Sequence, residues 1–310
     1  MSGDRRMVDI LIIGGGPAGL AAAIYASRAR RKTLVIDKAL PGGQLAFTAW
    51  IENYPGFPKG AIGMDLANNM TEQARNLEVT IEMEQAKGIE KDNKTIIVQT
   101  DRGEIAARAL IIASGASWKK LNVAGENELT GKGVSYCGTC DGMLFRDREI
   151  LVVGGGDTAI EEALFLTKFV KHLHIIHRRG ELRATKILRE RALANPKISF
   201  IWDTVVTKII GEKAVTAVEL LNKKTGEPNI FPTQGVFILI GNEPNTGFVP
   251  DFVAKTREGQ IVTNLRMETS APGIYAAGDV RAESIRQVVA ATGDGATAAW
   301  YADKYIETLE

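Results

Sequence analysis

The stretch ILIIGGGPAGLAAAIYASRARRKTLVID, residues 10–37, decides the fold. An apolar run ends at Ile13, three glycines and Pro17 follow, small residues fill the next turns, and a second apolar run closes at Asp37. That order spells strand, tight turn, helix and second strand. Gly14, Gly16 and Gly19 permit the turn, let backbone approach a pyrophosphate, and let the helix pack closely on the strand. The N–H groups at the helix start then supply partial positive charge to a phosphate. Asp37 lies 23 residues past Gly14, where a carboxylate can accept from both hydroxyls of a ribose. The spacing predicts a dinucleotide site for a nucleotide without a 2′-phosphate. The same glycines and proline interrupt the uncharged run from Ile10 to Ser27 near its middle, which argues against a signal peptide or membrane span. A cytoplasmic setting is expected.

The plan recurs 140 residues later in ILVVGGGDTAIEEALFLTKFVKHLHIIH, residues 150–177. Gly154 and Gly156 repeat the turn, and Ala159 stands third. Between the repeats the pattern predicts a helix over 64–77 and strands over 79–85, 95–100 and 110–113. After the second repeat it predicts strands over 199–210, 214–221 and 236–240, then a tail with a strand over 273–277 and a helix over 290–306. An internal repeat of this kind means two units built alike. The fold class expected is α/β, with two doubly wound, Rossmann-like nucleotide-binding domains, each with a small antiparallel β excursion. The tail is too short for a third domain and must return to one copy. Residues 1–115 with 246–310 form the first expected domain and 118–242 the second, joined by two linkers near 114–118 and 241–247 that act as a hinge.

The second turn differs where it matters. His177 occupies the position of Asp37, and Arg178, Arg179 and Arg183 follow it. An acid there repels a 2′-phosphate and this cluster binds one, so the second site is predicted to prefer NADPH to NADH. Residues 168–197 carry nine basic and two acidic side chains, although all 310 residues sum to a formal +1. With 38 Lys and Arg against 37 Asp and Glu, the chain lacks the broad basic excess of a nucleic-acid or membrane-surface binder.

Only two cysteines occur, in Cys137-Gly138-Thr139-Cys140, just ahead of the second turn. So small a ring adds little stability as a disulfide and is readily reduced. A structural zinc site wants four ligands, and no second Cys-x-x-Cys is present; the three histidines are His172, His174 and His177. The pair reads as a redox disulfide, with an inert thiol pair and a zinc site as the alternatives, and no metal is expected. Asp141 follows as a proton donor to a thiolate, or as a turn residue.

These segments together resemble the low-molecular-weight bacterial and archaeal thioredoxin reductases along nearly the whole chain. The likeness rests on GGGPAGLAAAIYASRA, PGGQL, ENYPGF, VSYCGTCDG, GGGDTAIEEALFLT, HRRGELRA and GIYAAGDVRAESIRQVVAATGDGATAA. It implies a homodimer with FAD held by the first and last segments and NADPH by the middle domain. Carried over, Gly14, Gly16, Pro17, Ala18, Gly19, Asp37, Lys38, Gly43, Gln44 and Asn53 would lie along the FAD. Gly278 and Asp279 would meet its ribityl and phosphate portion, and Arg286, Gln287 and Val288 its ring. Gly154, Gly156, Asp157, Thr158, His177, Arg178, Arg179 and Arg183 would hold NADPH. Cys140 would face the flavin, Cys137 would attack thioredoxin, and Asp141 would be the acid. Three residues depart from the common pattern: Asp37 for Glu, Gly138 for Ala and Ser114 for Thr. The implied activity passes electrons from NADPH through FAD and the cysteine pair to thioredoxin, with rotation about the linkers. A related flavin-dependent disulfide reductase, a dithiol oxidase and a redox sensor without turnover are the other readings.

Overall fold

The computed structural model describes residues 6–48 and 50–310. In chain order the elements are β1 (Arg6–Ile13), α1 (Pro17–Arg28), β2 (Thr33–Asp37), α2 (Gly63–Arg75), β3 (Thr80–Met83), β4 (Ala86–Asp92), β5 (Thr95–Thr100), β6 (Gly103–Ile112) and β7 (Ala116–Trp118). They continue with β8 (Val134–Ser135), α3 (Gly138–Asp141), β9 (Glu149–Val153), α4 (Asp157–Leu166), β10 (His172–Ile176), α5 (Lys186–Leu193) and β11 (Ile198–Ile201). The last are β12 (Thr204–Gly211), β13 (Val215–Asn222), β14 (Pro228–Pro232), β15 (Val236–Ile238), β16 (Asn242–Pro244), β17 (Ile274–Ala276) and α6 (Val288–Glu307). The chain divides into two compact units, Met1–Ser117 with Glu243–Glu310, and Trp118–Asn242.

In the first unit β3-β2-β1-β6 run parallel, with Ile10 opposite both Thr33 and Ala109. Strand β6 serves two partners along one edge. Its first half pairs antiparallel with β5, Val98 opposite Ile105, and its last residues pair parallel with β17, Ile112 opposite Ala276. The middle of the sheet is covered on both faces, so β2, the C-terminal half of β1 and the end of β6 are apolar runs. Ile10, Ile12, Val35 and Ile111 face the helices, while Leu11, Ile36, Leu110 and Ile112 face Val249, Val253 and Ile261. Each such side chain contributes about 1.5–3 kcal/mol by leaving water. The small residues of α1 have a purpose: a Cβ at Gly295 of α6 would collide with the Ala18 carbonyl, so these helices meet backbone to backbone.

The second unit repeats the order. Its sheet β11-β10-β9-β15-β8 is parallel throughout, and β12-β13-β14 form the antiparallel excursion. The outer strand is permuted: β17 comes after the first repeat and β8 before the second, yet each pairs with the strand that closes its repeat, β6 or β15. Gly278-Asp279 therefore follows one of these strands and Cys137–Asp141 the other.

One expected strand, 199–210, is two. Asp203 takes a left-handed φ of 52° and breaks the run, leaving β11 in the parallel sheet and starting β12 in the excursion. Aspartate tolerates that conformation where the flanking β-branched residues do not. Strand β6 begins before its predicted 110 because its first half also pairs antiparallel with β5 of the excursion, and α5 has too short an apolar stripe to stand out. At the linkers, β7 and β16 pair as a two-stranded ribbon. Asn245 stitches them within the first unit: its N–H donates to the Gly115 carbonyl at 3.0 Å and its Nδ2 to the Ser114 carbonyl at 2.8 Å, while Ser114 Oγ donates to its carbonyl at 2.8 Å.

Candidate active site

The first cradle is shaped by close approaches that side chains would block. Gly14 has φ 112° and its Cβ would strike the Ala113 carbonyl; a Cβ at Gly19 would strike the carbonyl of Gly14. Gly16 caps α1 without any side-chain hydrogen bond, and Pro17 occupies the first turn, so N–H groups there are left for an anion. Asp37 braces this turn through Oδ2, which accepts from Gly15 N–H at 2.6 Å, and Oδ1, which accepts from Ala39 N–H at 3.0 Å. Lys38 beside it is exposed. Gly42 N–H donates to the Gly15 carbonyl at 2.7 Å, which lays Gly43 against Gly16.

Distant segments of the first unit converge beside this cradle. Asn53 Nδ2 donates to Gln287 Oε1 at 2.8 Å across 234 residues, and the Gln44 amide donates to the Ala116 carbonyl. Gly278, with φ 76°, packs against Ala18. Burial holds the Asp279 carboxyl above the usual range, against the opposing effects of the Ser284 hydroxyl, 3.2 Å away, and the Arg286 charge. Arg286 is exposed at φ 54°, next to Gln287 and Val288 at the start of α6. Sequence reasoning missed Arg281 and Asp294. Their guanidinium and carboxylate form a two-bond pair at 2.6 and 3.1 Å, and Asp294 also accepts from Gly278 N–H at 3.1 Å. The signal for it was a lone carboxylate between Gly293 and Gly295, inside a helix of small residues.

The second cradle is built alike. A Cβ at Gly154 would come within 2.5 Å of the Leu239 carbonyl and 2.7 Å of Ala159 Cβ, and Gly156 caps α4 without a side-chain bond. The basic segment is tied down onto it. Arg183 N–H donates to the Gly155 carbonyl at 2.7 Å, Asp157 Oδ1 accepts from Thr185 N–H at 2.6 Å, and the Arg183 guanidinium reaches within 3.9 Å of the space beside Gly156. Thr158, Arg178, Arg179 and Arg183 are exposed. His177 is separated from that cluster: only 5% exposed, its ring lies under Gly155 and its Nε2 has no hydrogen-bond partner among the described residues. Burial, then the charges of Arg183, Arg178 and Arg179, hold its pKa below the usual histidine value, so it is a neutral support of the turn.

The cysteines form a disulfide, with Cα atoms 5.3 Å apart, at the mouth of the single-turn helix α3. Cys140 N–H donates to Cys137 Sγ at 3.2 Å. Ser135 Oγ donates to Asp141 Oδ2 at 2.7 Å and accepts from Cys137 N–H at 3.1 Å, so one hydroxyl joins the acid to the cysteine; Asp141 Oδ1 is buried without a partner among the described residues. Burial pushes the Asp141 carboxyl up and the Ser135 bond opposes it. The preceding residue, Tyr136, is stacked on Trp118 with ring centroids 5.0 Å apart and donates to buried Glu126 at 2.9 Å. Ser135 and Glu126 carried no signal in the sequence. Among the described residues no group of three or more His, Cys, Asp or Glu side chains is placed to hold a metal, and no helix is long and apolar enough to cross a membrane.

Two nucleotide cradles and a disulfide on one chain are matched by a family model, pyridine nucleotide-disulphide oxidoreductase, over residues 8–295. The chain belongs to this family. Within it, the chain is 45% identical to the thioredoxin reductases of Listeria innocua, over 100% of this chain and 97% of the relative, and of Bacillus subtilis, over 99% and 97%. The solved thioredoxin reductase from Streptococcus pyogenes is also 45% identical and superposes with a TM-score of 0.94, covering 98% of this chain and 100% of that one. The family's cofactors are FAD and NADPH, and the uncapped helix starts and the two glycine cradles fit a pair of dinucleotides. The family thus makes the protein a disulfide-handling oxidoreductase.

Proposed function

We propose that the protein is an NADPH-dependent thioredoxin reductase. The observation that carries this reading is the Cys137–Cys140 disulfide joined through Ser135 to a buried acid, on the same unit as a cradle faced by Arg178, Arg179 and Arg183. FAD, when bound, accepts a hydride from NADPH and returns two electrons to the disulfide. The first unit would hold FAD, with Gly14, Gly16 and the start of α1 available to its pyrophosphate, Asp37 to its ribose, and Asp279, Arg286, Gln287 and Val288 to the rest. The arginines of the second unit select the 2′-phosphate.

Two electrons open the disulfide. Cys140 is the sulfur that takes them and Cys137 the thiolate that attacks the substrate disulfide; Asp141 supplies the proton to the leaving sulfur. The cysteines and the NADPH cradle share one unit and serve one flavin in turn, so this reading gives the paired linkers the role of a hinge. In this reading the protein works as a homodimer in the cytoplasm. The test is steady-state NADPH oxidation with and without oxidised thioredoxin, with NADH as control. Oxidation that requires thioredoxin and NADPH supports the reading; equal oxidation without thioredoxin points to a dithiol or NADPH oxidase.

A further inference from the structure

Gly138, the first residue between the cysteines, donates its N–H to Glu162 Oε2 on α4. The contact is intimate on the whole underside of the turn. A Cβ at Gly138 would fall 2.9 Å from that oxygen and 3.2 Å from Leu166 Cδ1, and one at Gly142 would fall 2.8 Å from Leu166 Cδ2. The redox turn is seated backbone-first on α4, and Glu162 is the charged group of the seat. The other α4 acids are engaged or turned elsewhere: Asp157 accepts from Thr185 N–H, and Glu161 is exposed. Asp141 is the remaining titratable group at the turn, while Ser135 and Thr139 present hydroxyls, the latter 3.4 Å from Cys137 Sγ. The residues Gly142–Phe145 that follow bear no ionisable side chain.

We propose that Glu162 is a positioning residue of the disulfide: its carboxylate fixes the Gly138 peptide and its charge makes a thiolate in the reduced pair less favourable. Opening the disulfide consumes two electrons from the reduced flavin, with two protons if two thiols form or one if a thiol and a thiolate form. A fixed negative charge beside the turn disfavours the thiolate. It thereby favours the disulfide over the dithiol and keeps the pair a stronger reductant toward its substrate. Glycine at 138 lets the carboxylate reach the peptide; alanine there displaces it.

This inference rests on the pair being redox-active, and its test separates the two. The holoprotein and its Glu162→Gln and Glu162→Ala variants are equilibrated in dithiothreitol buffers across pH, and the open fraction is read as Cys137 and Cys140 alkylation by mass spectrometry. Glu162→Gln, which keeps an acceptor oxygen and loses the charge, is expected to shift the equilibrium toward the dithiol by about tenfold, or ~30 mV for two electrons. It is also expected to lower the pH at which the first thiol becomes reactive. Glu162→Ala should do both and in addition speed amide exchange at Gly138. A Glu162→Gln protein that matches wild type at every pH overturns the role given to Glu162, whether or not Glu162→Ala folds. A wild-type disulfide that dithiothreitol does not open overturns the redox reading itself.

Discussion

Ser135 Oγ lies 2.7 Å from Asp141 Oδ2, and among the described residues the other oxygen of that carboxyl is buried without a partner. Burial raises this pKa and the Ser135 bond restrains the rise. Ser135→Ala should move it further up. In the proposed role of proton donor Asp141 acts while protonated, so disulfide reduction should fall as pH rises through its pKa, and that alkaline limb should shift to higher pH in the variant. Asp141→Asn should abolish the limb and slow disulfide reduction about a hundredfold or more. Stability follows the same sign: a raised folded pKa adds stability at low pH that is lost as pH rises through it, so Ser135→Ala should be least stable, relative to wild type, at neutral pH. A pH–rate profile and a denaturation series check both.

The basic cluster and His177 should separate in binding experiments. Each exposed arginine contact to a 2′-phosphate is worth about 1.5–3 kcal/mol, so Arg178→Ala or Arg183→Ala should weaken NADPH binding about tenfold or more and leave NADH unchanged. His177 supports the turn from below, and His177→Ala should weaken both nucleotides alike. Calorimetric titration of each variant with both nucleotides distinguishes the two roles.

Neutral, buried His177 also makes a pH prediction for folding. Its depressed pKa contributes stability above the unfolded value of 6.5, and that contribution is lost as pH falls through the folded pKa. Wild type should weaken against denaturant on acidification toward pH ~5. His177→Asn should flatten that dependence in part, because burial and His172 also lower the pKa of His174.

The two cradles should fail independently. Alanine at Gly14 must take φ 112° and strike the Ala113 carbonyl, a left-handed penalty of about 1–2 kcal/mol before the clash is counted. Gly14→Ala should purify colourless, without flavin. Gly154→Ala meets the Leu239 carbonyl instead, and should keep its yellow colour while losing NADPH binding. Absorbance of the purified proteins and an NADPH titration read the difference.

Asp294→Asn should be the more damaging change at the first cradle, although it spares every glycine. The carboxylate pairs with Arg281 at 2.6 and 3.1 Å in a largely buried setting, and removing one partner of such a pair costs about 3–5 kcal/mol. Thermal unfolding of the holoprotein should show the loss.

What the sequence discloses and what it withholds divide along a physical line. Gly14 and Gly154 announce themselves because turn, helix start and flanking apolar strands lie within a few residues. The doubly wound α/β plan is legible for the same reason. Asp294 with Arg281, Ser135 with Asp141 and Glu162 with Gly138 are relationships between segments, made by packing, and no local pattern encodes them. His177 shows the limit most clearly: its place after β10 aligns it with Asp37, but its ring is buried under Gly155 and apart from the arginines that follow it. Asp203 is the reverse case, one residue whose tolerance of a left-handed φ splits an apparently continuous strand.

In the proposed mechanism electrons leave the flavin through Cys137–Cys140. Anaerobic titration of the Cys140→Ser holoprotein with NADPH, followed by oxidised thioredoxin, tests it most directly. Bleaching of the flavin by NADPH, with no thioredoxin reduced afterwards, is the predicted result. A flavin that stays oxidised, or thioredoxin reduced without Cys140, would contradict it.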